Sequence, residues 1–263
     1  MDTGSHPAFF DYYAQQSETA ATRNRFLGIR DAALRVLAGR DAAAHPAPWD
    51  VADIGCGAGT QSIMWAEMGH RVHGLDINQP LLDLARQRAE QCGRDIEFRV
   101  GSAASLPWPD RSMDVCLVPE LLEHVREWRE CLAEFARVLR PGGVLVLTTN
   151  NKLCPVQQEF NLPLYSWYPA ALKYRYERLA VTTRPAIANY ATYPAVNWFT
   201  PYSLAADLCR LGLRAQDRFD LLALRPMSAA KRAAISLLRA LPPLRFIGHV
   251  LTPYTFVVAV RQV

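Results

Sequence analysis

Between residues 51 and 149 the chain alternates short apolar runs with stretches of helical spacing. Val51–Ile54, Arg71–Leu75, Ile96–Val100, Met113–Val118 and Val144–Thr149 have the length and aliphatic, β-branched content of strands. The segments Thr60–Met68, Pro80–Gln91 and Arg126–Arg140 between them predict helices, the last stopped by Leu139-Arg140-Pro141-Gly142-Gly143. Strand and helix in alternation predict an α/β fold with a parallel sheet covered on both faces. The fifth run is almost wholly apolar, as a central parallel strand requires. Further on, Thr200 is placed to cap a helix with Pro201 at its first position, ending near Gly212. Strands are predicted at about Ala215–Leu224 and Tyr254–Arg261.

The join between the first strand and the first helix carries the most chemistry. It reads Val51-Ala52-Asp53-Ile54-Gly55-Cys56-Gly57-Ala58-Gly59-Thr60. Its glycines let the backbone turn sharply and approach a ligand, and the free N–H groups of the next helix point the same way. Asp76 ends the second strand 21 residues after Gly55, where a carboxylate meets ribose hydroxyls in a nucleotide-binding βαβ unit. A dinucleotide fingerprint needs a small residue at the sixth position of G-x-G-x-x-G/A, to let helix and strand pack. That position is Thr60, and the pattern is D-x-G-x-G-x-G.

This turn resembles motif I of the class I S-adenosylmethionine-dependent methyltransferases. The ordered motifs of residues 50 to 150 resemble the same family, and the ubiquinone/menaquinone-pathway type of small-molecule methyltransferase in particular. The resemblance implies a doubly wound, seven-stranded, mostly parallel Rossmann-like sheet with an antiparallel C-terminal edge pair. It implies S-adenosyl-L-methionine as cofactor, cradled by Asp53, Gly55, Cys56, Gly57 and Gly59, with Asp76 on its ribose and Ile77 on its adenine. Gly101-Ser102-Ala103 and Leu106-Pro107-Trp108-Pro109-Asp110 look like the family's G-D-A-x-x-L-P-F-x-D segment, with Ser102 in place of the acid that meets the adenine amino group. Pro119 falls beside the expected methyl-transfer site.

The fourth strand delivers Pro119-Glu120-Leu121-Leu122-Glu123-His124-Val125 to that site. The Glu120, Glu123 and His124 cluster resembles one that binds a divalent metal, with a later histidine, in ubiquinone-pathway O-methyltransferases and small-RNA 2′-O-methyltransferases. On that reading a Mg²⁺ ion polarises the acceptor hydroxyl. Asn197 stands where the later histidine would be, and an amide oxygen suits Mg²⁺. Two other readings stay open: His124 as a general base, and a structural role in which Glu123 caps a helix and His124 bonds the backbone.

Outside this core, residues 1–48 are expected to form cap helices over the cofactor, with Tyr13 and Arg30 nominated to hold its carboxylate. Residues 151–198 are an insertion rich in proline and aromatics. It reads as a substrate lid whose wall includes Tyr165, Trp167, Tyr168 and Trp198, or as an embellishment with its own small core. In 226–252, Ala233, Ala234, Leu237, Leu238 and Leu241 recur at helical spacing beside Lys231, Arg232 and Arg239. That reads as a basic amphipathic segment, lying on an anionic membrane surface or packed on the domain.

Composition narrows the picture. The chain has 263 residues, 50% hydrophobic, which suits one domain: cap 1–48, cofactor-binding core 49–150, lid 151–198 and remainder 199–263. The net charge is +4, and no acidic residue follows Asp220. No aromatic-interleaved basic groove marks a nucleic-acid partner. The six cysteines are scattered without a C-x-x-C pair, and no apolar run is long enough to span a bilayer. A cytoplasmic protein is expected, with the inner membrane face as its one candidate surface partner. The expected reaction is methyl transfer to a hydroxyl on an apolar or lipid-linked small molecule. The alternatives are N-, C- or O-methylation of a polar natural-product or sugar intermediate, and a non-catalytic cofactor-binding scaffold.

Overall fold

The computed structural model describes residues 14–39, 47–189, 191, 193–222 and 227–262. Seven strands, β1 (Asp50–Ile54), β2 (Arg71–Asp76), β3 (Glu97–Val100), β4 (Met113–Pro119), β5 (Leu139–Asn150), β6 (Leu213–Asp217) and β7 (Tyr254–Arg261), form one sheet in the order β3-β2-β1-β4-β5-β7-β6. The first five pair in parallel, and β7 runs antiparallel to both β5 and β6. The chain order reverses between β1 and β4, which opens a crevice outside their carboxyl ends.

Helices α1 (Ala20–Leu37), α2 (Thr60–Glu67) and α3 (Gln79–Gln91) cover one face of the sheet. Ile29, Ala33 and Leu37 of α1, Trp65 of α2 and Leu82 of α3 pack there on Val51, Leu117, Val144 and Val146. Helices α4 (Trp128–Val138) and α6 (Pro201–Arg210) cover the other face, where Leu132, Phe135, Leu204 and Leu208 meet Ala52, Cys116, Leu145 and Leu147. Alternation along β5 thus feeds both layers, which is why its sequence is apolar throughout. Each fully buried Leu or Phe contributes roughly 1.5–3 kcal/mol.

Three boundaries depart from the sequence expectation. Helix α4 stops at Val138, because Pro141 forces Arg140 out of helical geometry, and Leu139 is already extended. Strand β5 therefore begins at Leu139, with a register shift against β4 before Val144. Strand β6 ends at Asp217, where a polar turn takes over: Asp217 Oδ1 accepts from Phe219 N and Asp220 Oδ2 from Asp217 N. The 226–252 segment forms two helices, α7 (Ala229–Ala240) and α8 (Pro242–Val250), with Pro242 opening the second. Thr200 caps α6 as expected, in a reciprocal box with Ser203.

The insertion after β5 contains α5 (Ala170–Thr182) and two short 3₁₀ turns. It builds a core of its own from Phe160, Tyr165, Ala180 and Ala188, with Tyr168, Tyr176 and Trp198 packed against it. The insertion leaves and rejoins the sheet at one place: Asn151 bridges Phe199 in parallel, and Lys152 N donates to Phe199 O at 2.8 Å.

Candidate active site

The glycine turn sits at the carboxyl end of β1. Gly55 N and Cys56 N both donate to Leu75 O, which ties the turn to β2. Gly57 N donates to Asp76 Oδ2 at 2.8 Å. Gly57 has φ +50° and open space where a Cβ would stand, so its surface is free for a ligand. Gly59 has φ +77°, and a Cβ there would lie 2.8 Å from Ala85 Cβ, so glycine is what lets α2 and α3 meet. The Cys56 thiol packs into the apolar layer, and burial raises its pKa well above the ordinary value. Cys56 therefore offers a ligand only its backbone.

Asp53 corrects one expectation. Its side chain is 0% exposed, beneath the turn, where Oδ2 accepts from Ser62 Oγ at 2.6 Å. It fixes the first turn of α2 and cannot touch a ligand itself. Burial lifts its carboxyl to about 6.

Asp76 stands at the end of β2 with Oδ1 accepting from Asn78 N and Oδ2 from Gly57 N, each at 2.8 Å. Burial raises its pKa against those bonds. Ile77 beside it is 45% exposed, an apolar platform at the crevice. Ser102 is exposed after β3, and its hydroxyl accepts from Ala104 N at 3.2 Å, while Ala103 is buried. Ile77, the Asp76 carboxylate and the Gly57 backbone thus meet at the carboxyl end of β2.

The segment after β4 does not assemble as a metal site. Pro119 ends the strand, and Glu120 turns the chain at φ +49°. Glu120 Oε1 takes Arg25 Nη1 of α1 at 2.5 Å. Glu123 is wholly buried, with Oε2 accepting from Thr149 Oγ1 at 2.9 Å and Oε1 without a hydrogen-bond partner among the described residues, and burial, reinforced by the Glu159 and Glu120 carboxylates, pushes its pKa well above the ordinary range. His124 Nδ1 meets Tyr193 O at 2.7 Å, so that nitrogen carries the proton, and burial lowers the ring's pKa. Asn197 Nδ2 donates to Leu122 O and Val125 O, stapling this loop, as a structural amide does. Among the described residues no three His, Cys, Asp or Glu side chains converge as metal ligands. His124 instead lines a cavity of about 170 Å³ with Arg126, Tyr174, Glu177, Arg178 and Val196, which includes no residue of the glycine turn.

The cap lies across the crevice. Arg88 of α3 reaches Ser17 Oγ at 2.8 Å and Ala14 O at 3.1 Å, and Thr60 Oγ1 donates to Ser17 O. The chain thus enters α1 over the glycine turn and brings Arg25 to the end of β4. Arg30, nominated from sequence, pairs with Asp31 instead. Tyr13 lies outside the described residues. Of the nominated lid aromatics, Tyr165 is buried, stacked on Phe160 at 4.0 Å, and Tyr168 and Trp198 pack around it. Tyr165 therefore fills the insertion's own core and forms no open wall. Trp167 is 54% exposed.

Sequence reasoning missed a second polar group beside the crevice. Tyr254 opens β7 opposite Asn150, and its hydroxyl donates to Gln158 Oε1 at 2.7 Å. Glu159 follows, half-buried, with no hydrogen-bond or ion-pair partner among the described residues. Burial, reinforced by the Glu120 carboxylate, raises Glu159 to about 7.

Known proteins share these features. The family described as a methyltransferase domain matches residues 52–147. The chain is 38% identical over 105 residues to a malonyl-[acyl-carrier protein] O-methyltransferase of Serratia marcescens, covering 40% of this chain and 39% of that one. It is 31% identical over 177 residues to a ubiquinone biosynthesis O-methyltransferase of Xanthomonas axonopodis pv. citri, covering 66% of each. The matches thus span from about two fifths to just under two thirds of these relatives' lengths. The fold is that of an S-adenosylmethionine-dependent methyltransferase from Mesorhizobium loti, with TM-score 0.55, 18% identity, and coverage of 87% of this chain and 96% of that one. With the 3-2-1-4-5-7-6 sheet, the glycine turn and Asp76 in place, the chain belongs to the class I S-adenosylmethionine-dependent methyltransferases.

Proposed function

We propose that this protein methylates a hydroxyl group on an apolar or lipid-linked small molecule. The observation that carries this reading is the open cradle of Gly57, Asp76 and Ile77 beside a group of carboxylates at the ends of β4 and β5. S-adenosylmethionine, when bound, supplies a methyl group activated on a sulfonium. Asp76 would hold its ribose, Ile77 its adenine, and Gly57 and Pro119 would border its methionine end. A hydroxyl must shed its proton as it is methylated, and the nearby carboxylates offer a place for it. The names of the two relatives above, both O-methyltransferases, support oxygen as the acceptor atom.

One observation favours a polar acceptor instead. Tyr165, Tyr168 and Trp198 are spent on the insertion's core, while Glu120, Asn150, Glu159 and Tyr254 gather at the strand ends. Methyl-labelled S-adenosylmethionine incubated with the protein and extract of the source cells separates the readings. Label in the organic-soluble fraction supports the apolar hydroxyl. Label confined to small polar products overturns it, and cofactor binding without any labelled product points to a scaffold.

The C-terminal helices supply the route to an apolar acceptor. Leu237, Leu241, Phe246, Ile247 and Leu251 are exposed on α7, on α8 and just past them, beside the exposed Lys231 and Arg232. Arg239 and Arg245 turn inward, onto Phe219 O and the Asp217 and Asp220 carboxylates, so the outward face is more apolar than the sequence implied. With no acidic residue after Asp220, this face suits an anionic lipid surface. Sedimentation with phosphatidylglycerol vesicles should capture the protein, and a Phe246→Asp, Leu251→Asp variant should stay in solution. Equal behaviour of the two would remove the membrane reading. Among the described residues no helix is long and apolar enough to cross a membrane.

A further inference from the structure

We infer that the cavity between α5 and the loop after β4 binds an oxyanion group, a phosphate or a carboxylate, between Arg126 and Arg178. The site goes beyond the methyl-transfer reading, and its existence does not depend on which atom is methylated.

Helix α5 divides its residues between two faces. Lys173, Tyr176 and Ala180 turn inward: Tyr176 and Ala180 join the insertion's core, and Lys173 Nζ donates to Ser166 O at 2.9 Å. Tyr174, Glu177, Arg178 and Val181 recur at i, i+3, i+4 and i+7, one stripe of the helix, and all four line the cavity. Tyr174 and Val181 are both exposed, so apolar surface on this stripe stays open beside the charged groups.

The other walls come from two segments distant in sequence. His124 and Arg126 belong to the loop after β4, and Tyr193 and Val196 to the end of the insertion. Hydrogen bonds hold these two segments together: His124 Nδ1 donates to Tyr193 O at 2.7 Å, and Val196 N donates to Glu123 O at 2.8 Å. Three parts of the chain thereby enclose about 170 Å³. A whole small-molecule ligand occupies roughly 300–1,000 Å³, so this space takes a headgroup.

Two guanidiniums against one carboxylate leave the lining net positive. Burial raises the Glu177 pKa, and the charges of Arg126 and Lys173 pull it back through space. A guanidinium fork matches the paired oxygens of a phosphate or carboxylate. With Nδ1 protonated, His124 Nε2 is an acceptor, as is the Glu177 carboxylate. Donors and acceptors together suit an oxyanion that also carries an O–H, such as hydrogen phosphate or a hydroxy acid. Arg126 follows Glu120 by six residues, a separation of at most roughly 20 Å. An acceptor with its hydroxyl at the crevice and an oxyanion at its far end can span the two places, and a separate anionic effector would present the same group.

The test of the site needs no acceptor. Phosphorus-31 line broadening of inorganic phosphate, with ionic strength held constant by chloride, reads binding directly. Arg126→Gln and Arg178→Gln should each weaken phosphate binding roughly tenfold. Both side chains are exposed, so the fold should survive, with S-adenosylhomocysteine affinity changed less than about twofold. Glu177→Gln removes a repelling charge and should strengthen phosphate binding several-fold. Arg175→Gln, on α5 but outside the cavity, should leave it within about twofold. Equal broadening in the native protein and the Arg126→Gln, Arg178→Gln double variant, or an equal loss in Arg175→Gln, would overturn the proposal. The labelling assay with cell extract then assigns the anion. If phosphate raises the amount of extract needed for half-maximal labelling at an unchanged maximal rate, the oxyanion belongs to the acceptor. An unchanged half-saturation assigns it to a separate effector. Absence of any labelled product would remove the methyl-transfer reading and leave the phosphate result standing.

Discussion

Arg25 on α1 and Glu120 after β4 meet at 2.5 Å across the crevice, with their side chains 39% and 27% exposed. The pair joins the cap to the methyl-transfer end of the site. Exposed pairs of this kind contribute about 0–1 kcal/mol. Arg25→Met should therefore leave global stability within about 1 kcal/mol and act locally, speeding amide hydrogen exchange in the first two turns of α1 several-fold. Unchanged exchange there would show that Arg88 and Ser17 hold the cap without Arg25.

Asp76 serves the fold and the ligand together, since it already accepts from Gly57 N and Asn78 N. Removing a charge-assisted acceptor costs about 1.5–3 kcal/mol. Asp76→Ala should weaken S-adenosylhomocysteine binding by about 10- to 100-fold in calorimetry, with a native circular dichroism spectrum. Affinity within twofold of the native protein would remove the ribose from this position.

Gly57 and Gly59 should respond differently to alanine, the larger loss of stability falling at Gly59 and the larger loss of affinity at Gly57. At Gly59 the added Cβ collides with Ala85 at positive φ, so destabilisation of about 1–3 kcal/mol is expected in urea unfolding. At Gly57 the Cβ meets nothing, so stability falls by about 1 kcal/mol while ligand affinity drops more than tenfold. Equal stability losses at the two positions would contradict the geometry.

Asp53 links stability to pH. Burial lifts its folded pKa to about 6, above its unfolded value, so its contribution is fully present below the unfolded pKa and is lost as pH rises through about 6. Asp53→Asn mimics the protonated acid. Relative to the native chain, it should gain on the order of 3 kcal/mol between pH 4 and pH 8. His124 and His70, whose pKa values burial lowers, act in the opposite sense below their ordinary range, but they are common to both proteins and cancel in the difference. A pH-independent difference between the two would mean that Asp53 does not titrate in this window.

The placement of Gly57, Asp76 and Ile77 was legible because it is local: a strand, a turn and the next strand's end fix all three within one βαβ unit. The choice between Arg25 and Arg30 was not legible. Both sit on one helix, and which reaches the site depends on the docking of α1 against β5 and β7. Glu123 and His124 do not converge as metal ligands, because Thr149 holds one side chain and the Tyr193 carbonyl the other, and adjacency in sequence carries neither contact. The aromatics of the insertion fit either reading by composition, and the stacking of Tyr165 on Phe160 decides for an internal core. Glu159 carries no periodicity or motif, and only the tertiary contact of Gln158 with Tyr254 brings it near Glu120.

The Asn151–Phe199 bridge gives the insertion a closed base, since its two ends meet side by side at the carboxyl end of β5. A change of length within the insertion can leave the strand register in place as long as Tyr193, Val196 and Asn197 keep their bonds to the loop after β4. On the proposed reading, an insertion transplanted between such proteins at these two points should carry substrate preference with it, while methyl-donor binding stays with the sheet.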